Sequence, residues 1–180
     1  MKLSANDQRA LLRIARVTIR EFFITGRLPP GAPHSQSLLD PGGVFVRLKR
    51  DGQLRGGFGS FTADLPIFRA VQQNALVAAT RDPHFPPLSP DELSEICIEV
   101  SVVEPKLPIT NETEITVGEH GLAVTLGTRH AFHLPQVAKE HGWSAATFLE
   151  KTADKAGLTK KQWAQARLEI FTAQVFAETP

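Results

Sequence analysis

A chain of 180 residues with 20 basic and 19 acidic side chains, a formal charge of +1 and 42% hydrophobic residues has the size of one domain or of two tightly merged halves. At that length folding hides about 70% of the extended chain's surface, so neither disulfides nor metals are needed for stability. The near-zero charge excludes bulk electrostatic attraction to nucleic acid or to an anionic membrane, leaving only a local basic patch. The apolar runs are far shorter than about 20 residues, and the chain opens on an amphipathic helix rather than a charged-then-apolar leader. A soluble, cytoplasmic protein is expected, and the single Cys97, inside Ile96-Cys97-Ile98, fits a reducing compartment.

Ser4 with Asp7 three residues on, and Leu3 before it, predicts a helix start; Leu11, Ile14, Ala15, Val17, Ile19, Phe22 and Phe23 supply its apolar face, and Gly26 closes it. Arg9, Arg13, Arg16 and Arg20 spread around the polar side, as on a docked surface helix, while Asp7 and Glu21 dilute the basic face that a membrane-surface helix needs. From 27 to 43, Pro29, Pro30, Pro33 and Pro41 preclude a regular element; a loop of that length is usually functional or disordered, and His34 and Ser35 stand at its middle. Strands over 44–49 and 53–61 join antiparallel through an Asp51-Gly52 turn. Asp64 is predicted to cap a helix carrying Phe68, Val71, Ala75, Ala78 and Ala79. Arg81-Asp82-Pro83-His84-Phe85-Pro86-Pro87-Leu88 ends that helix, either as a plain proline stop or as the wall of a cleft.

Ser89-Pro90-Asp91-Glu92 is a capping box opening a short helix. The strand 96–103 alternates, with Ile96, Ile98, Val100 and Val102 on one face and Cys97, Glu99, Ser101 and Val103 on the other. Strands over 121–126 and 130–134 follow, then a short helix from Pro135, a helix between Trp143-Ser144 and Gly157, a short turn at Trp163 and a closing strand over 166–176. Mixed helices and short hairpins give an α+β class with a mostly antiparallel sheet and flanking helices.

Gln53-Leu54-Arg55-Gly56-Gly57-Phe58-Gly59-Ser60-Phe61 stands apart, because three glycines weaken a strand and mark either a bulge or a close approach to the backbone. Strict alternation places Arg55 over Gly57 and Gly59, a floor without side chains where a guanidinium grips a carboxylate or phosphate. The competing reading is a strained strand with a structural salt bridge. The run also departs from the RNA-binding sheet signature, since two glycines separate Arg55 from Phe58 and Ser60 breaks the aromatic series. His130 and His133 fall on opposite faces of a strand, and neither a nucleophile elbow nor a phosphate loop is present. No cofactor or metal is therefore expected. The candidate site is Arg55, Gly56, Gly57, Phe58 and Gly59, with Glu99 as the anchor of Arg55 and His120 before Gly121.

Leu54-Arg55-Gly56-Gly57-Phe58-Gly59-Ser60-Phe61, Asn74-Ala75-Leu76 running into 81–88, Ile98-Glu99-Val100-Ser101, His120-Gly121-Leu122, Leu134-Pro135-Gln136-Val137-Ala138 and Lys155-Ala156-Gly157-Leu158 together resemble, in order, the AMMECR family. The resemblance covers nearly the whole chain and implies one AMMECR-type domain over 1–180, a barrel-like α+β core of two intertwined halves, and a cleft near the Leu-Arg-Gly motif. It also implies prokaryotic partners, a Memo-like protein and a radical S-adenosylmethionine protein, in the AmmeMemoRadiSam system. The family motif usually reads Leu-Arg-Gly-Cys-Ile-Gly; here Gly57 replaces the cysteine and Phe58 the isoleucine, and His84 stands where arginine is common. A thiol nucleophile at the motif is thereby removed. The expected function is a cleft-bearing accessory protein binding a small anion or a partner's segment; an enzyme using Arg55, Glu99 and His120 is the alternative, and nucleic-acid binding a third class.

Overall fold

The computed structural model describes residues 2–31, 33 and 35–179, so the expectation for His34 lies outside the described residues. Two compact units emerge: the first runs to Val103 and resumes at Gln174, and the second is Glu104–Ala173. Because the chain leaves the first unit and later returns to it, the units are interleaved along the sequence.

In the first unit, helix α1 (Ala5–Thr25) begins on the predicted capping box: the Ser4 hydroxyl accepts from the Asp7 amide, and the Asp7 carboxylate accepts from the Ser4 amide. Gly26, at φ 70°, closes it. Strands β1 (Gly43–Arg50), β2 (Gln53–Ser60) and β3 (Ile96–Val103) pair antiparallel in the order β2-β1-β3, and positive φ at Asp51 and Gly52 makes the tight turn between the first two. Helix α2 (Ile67–Thr80) packs its small residues on this sheet. Leu11, Ala15 and Ile19 of α1 and Ile67, Val71, Ala75 and Ala79 of α2 join Val44, Val46, Leu48, Ile98 and Val100 in one buried cluster. Val44, Val46 and Leu48 of β1 and Ile98 and Val100 of β3 therefore face the helices, the β3 alternation being the one predicted.

Asp64 does not cap α2. The helix begins after Pro66, whose carbonyl accepts from the Arg69 and Ala70 amides, while the first amide, Ile67, donates to the Asp40 carbonyl at 3.0 Å. The 27–43 loop thus satisfies an otherwise orphaned helix donor, which removes the need for a side-chain cap. That loop also holds a short 3-10 turn, Gln36–Leu38, with Leu38 fully buried. The capping box at Ser89 is present and opens a 3-10 helix, Pro90–Ser94.

The second unit holds strands β4 (Leu107–Ile109), β5 (His120–Leu126), β6 (Arg129–His133) and the start of β7 (Arg167–Ala177), with helices α3 (Pro135–Glu140), α4 (Ala145–Lys155) and α5 (Lys160–Trp163). β5 pairs with β6 and β7, and β4 with β7, all antiparallel. Leu122, Val124 and Leu168 pack with Phe148, Leu149, Ala153 and Leu158. Sequence alternation missed β4, which is three residues long and contains Pro108, a residue confined to sheet edges. The α+β class with antiparallel pairing and flanking helices is what the structure shows.

Candidate functional site

Strand β2 carries a bulge. Leu48 faces Gly56 and Lys49 faces Leu54, so Arg55 is the extra residue, without a partner on β1. Strict alternation through Arg55 therefore fails, and the glycines divide by face only after it. Gly56 and Phe58 oppose the buried Leu48 and Val46; Gly57 and Gly59 oppose Arg47 and Phe45.

Each glycine meets different surroundings. A methyl group at Gly56 would lie 2.5 Å from the Ala78 carbonyl oxygen of α2, so this glycine permits close helix packing. At Gly59 it would lie 2.5 Å from the Phe45 Cα, beneath a ring that meets Phe61 edge-on at 4.9 Å. At Gly57 nothing comes nearer than the Val46 oxygen at 3.6 Å, with the Arg47 Cγ at 3.8 Å. Gly57 alone of the three meets its neighbours only at ordinary contact distance. Phe58, 42% exposed, lies at the sheet edge.

Arg55 does not meet Glu99, which corrects the expected anchor. Its Nε donates to Glu92 Oε1 at 2.7 Å, its Nη2 to Glu92 Oε2 at 2.9 Å and its Nη1 to the Pro86 carbonyl at 2.9 Å. The bulge releases the side chain from the sheet, and the two-point geometry matches guanidinium to carboxylate. Glu92 also accepts from the Ser89 amide of its own capping box, and Arg55 with that amide holds its carboxyl down to about 2. Two residues on, the Gly57 amide donates to Asp82 Oδ2 at 2.6 Å, while Asp82 Oδ1 accepts from the His84 amide at 2.7 Å. The segment 82–92 is consequently latched to β2 at Arg55 and at Gly57.

Glu99 belongs to a different cluster. Arg47 stands directly across from it on β1 and donates from Nη1 to Oε1 at 2.9 Å; Lys49 Nζ reaches Oε2 at 2.9 Å. The Glu99 side chain is only 7% exposed, so the pair of cations answers the cost of burying its charge. Across the sheet, Gly57, Arg47 and Glu99 form one row through β2, β1 and β3. Arg47, Lys49, Glu92 and Asp82 were not singled out from sequence as site residues. Arg47 and Lys49 on the same strand face as Glu99 were the available signal, once β1 and β3 are set in register.

His120 lies in the second unit, at the start of β5, where its Nδ1 accepts from the Thr116 amide at 3.0 Å and closes a local turn. Cys97 donates its thiol to the Glu178 carbonyl at 3.2 Å, and burial, then the nearby Glu178 charge, pushes its pKa up. Among the described residues, no group of three or more His, Cys, Asp or Glu side chains is placed to hold a metal ion, and no helix is long and apolar enough to cross a membrane.

Comparison with known proteins gives this geometry a family. A crystal structure of an uncharacterised protein from Pyrococcus horikoshii superposes with a TM-score of 0.93 at 34% identity, covering 99% of this chain and 94% of that one. A protein of Methanopyrus kandleri is 40% identical over 188 residues, covering 98% of this chain and 91% of its own length. A Methanothermobacter thermautotrophicus protein is also 40% identical, covering 98% and 96%. The family model AMMECR1 matches residues 12–176, and the chain belongs to the AMMECR1 family.

Proposed function

We propose that the protein is a binding protein for a small anionic molecule or an anionic segment of a partner, and that its binding face is the row Gly57, Arg47 and Glu99. The observation that carries this reading is Gly57, whose position no close approach explains. Its two neighbouring glycines are explained by packing against Ala78 and Phe45, whereas a side chain at Gly57 would meet only ordinary contacts, the Arg47 Cγ at 3.8 Å among them. Arg47 and Lys49 both donate to Glu99, so their cationic groups are already oriented, which lowers the ordering cost of binding. Arg55 serves this face indirectly, by fixing the 82–92 wall. Gly56, Phe58 and Gly59 shape the strand, and His120 takes no part.

Family membership supports the finer reading: residues 1–180 act as one cytoplasmic AMMECR-type domain, an accessory to a Memo-like protein and a radical S-adenosylmethionine protein. The catalytic alternative, cysteine-independent chemistry at the Leu-Arg-Gly motif, draws support from Asp82, whose Oδ1 lies 3.5 Å from the exposed His84 ring. The test titrates inorganic phosphate and succinate into isotopically labelled protein. Saturable movement of the Gly57 and Gly59 amide signals, lost in Gly57→Leu and retained in Gly57→Ala, supports the binding face. Unmoved signals, or equal binding by Gly57→Leu, overturn it.

A further inference from the structure

Away from that row, α1 and the proline segment after it enclose a groove of about 550 Å³, within the size range of small-molecule sites. Ile14 and Val17 line one wall, Pro29 and Pro30 the other, and Arg9 and Arg13 stand along the edge. The wall is pre-formed. Gln72, itself buried, donates from Nε2 to the Pro29 carbonyl at 3.0 Å and accepts from Arg69 at 3.0 Å, and Gly31 lies against the Phe68 ring so closely that no side chain fits between them.

The edge charges lack a counterion. Arg9 and Arg13 are four residues apart and so occupy one helix face on consecutive turns, an arrangement in which like charges repel. Arg9 donates to the neutral Asn6, and among the described residues neither arginine forms an ion pair. Among the described residues, no acidic residue lines the groove. Thr18, fully buried in the same lining, has a hydroxyl with no hydrogen-bond partner among the described residues. An apolar trough edged by two unanswered guanidinium groups asks for a single kind of occupant.

We infer that this groove binds a small amphiphilic carboxylate: an apolar body against Ile14, Val17 and the prolines, and a carboxylate shared by Arg9 and Arg13. The guanidinium fork matches a carboxylate at two points, and a neutral polar head forfeits that match. The burial of the tail is common to charged and neutral amphiphiles, so the head group carries the discrimination.

Octanoate and 1-octanol, which share a tail, are the probes. Titrated into isotopically labelled full-length protein, octanoate should move the amide signals of Ala10, Ile14, Val17 and Gly31 saturably, with 1-octanol about tenfold weaker or more. The double variant Arg9→Gln, Arg13→Gln changes only exposed side chains and should bring octanoate down to the 1-octanol level. Val17→Trp, which obstructs the trough, should abolish both. Equal binding of octanoate and 1-octanol, octanoate binding unchanged in the double variant, or no saturable movement of these four signals overturns the inference. Movement of the Gly57 and Gly59 signals alone assigns the anion to the other face and likewise overturns it.

Discussion

Alanine substitution at the three glycines of β2 should separate close backbone approach from ordinary contact. None of the three has positive φ, so alanine is allowed by the backbone and the outcome depends on what its methyl group meets. At Gly56 the methyl lies 2.5 Å from the Ala78 carbonyl oxygen, and at Gly59 it lies 2.5 Å from the Phe45 Cα; both obstacles are backbone atoms that no rotamer change can clear. Forced overpacking of this kind costs about 1–3 kcal/mol. At Gly57 the nearest atom is at ordinary contact distance, 3.6 Å, so alanine restricts the unfolded chain without a clash and stabilises by about 0.4–1 kcal/mol. For a chain of this size each kcal/mol moves the melting midpoint by roughly 2–4 °C. Gly56→Ala and Gly59→Ala should therefore melt several degrees below the parent and Gly57→Ala slightly above it, as followed by circular dichroism. A Gly57→Ala midpoint falling as far as that of Gly56→Ala would refute the reasoning, as would a Gly56→Ala midpoint equal to the parent's.

Arg55→Ala leaves Glu92 without its two-point partner and should cost about 1.5–3 kcal/mol in urea denaturation, while Arg55→Lys, keeping charge but not the fork, should fall between it and the parent. Glu92 is held at about 2 against an ordinary value near 4.5, so its contribution is complete above pH 4.5 and is lost as the pH falls towards 2; Glu92→Gln should flatten that part of the stability profile. His133 is held at about 4 against 6.5, chiefly by burial and then by Lys155 and His141; it contributes fully above pH 6.5 and loses that contribution between pH 6.5 and 4, so His133→Gln should flatten this higher window instead. Cys97 should resist thiol reagents in the folded state and react fully in denaturant; rapid modification of the native protein contradicts its half-buried, raised-pKa environment.

The fold was legible where side-chain periodicity dominates. Alternation from Ile96 to Val103 gave β3 and its apolar face, and Ser4 with Asp7 gave the start of α1. Asp64 misled because a capping residue is recognised by its own chemistry, whereas the Ile67 amide is satisfied by Asp40 from a distant loop. The site was harder to read for a related reason. Which carboxylate meets Arg55 depends on a one-residue bulge that shifts register between Leu48 and Lys49, and nothing local to β2 distinguishes a bulged Arg55 from an in-register one. Glu99 was correctly placed on the polar face of β3, but its partners follow from the β1–β3 register, which sets Arg47 directly opposite. Glu92 was legible as a capping residue, and its second role as the Arg55 acceptor was not.

The bulge also explains why the Leu-Arg-Gly motif and the proline-rich segment belong to one device. An edge strand exposes a row of unpaired amides and carbonyls, which invites pairing with another chain unless something covers it. Here the Gly57 amide is taken by Asp82, and Arg55, freed from the ladder, reaches the Pro86 carbonyl and Glu92. Both anchors, Arg55 and Gly57, fall within a span of three residues on β2, and both act on the same segment. Asp82 is the more constrained of the two acceptors, since its side chain is only 5% exposed and its second oxygen is occupied by the His84 amide. At Gly57 the strand edge is therefore capped by a segment whose prolines cannot continue the ladder. Gly57 is left with its amide fixed by Asp82 and, unlike Gly56 and Gly59, with no neighbour closer than ordinary contact distance on its side-chain side, so the edge anchor, and not a packing clash, is the constraint on this position.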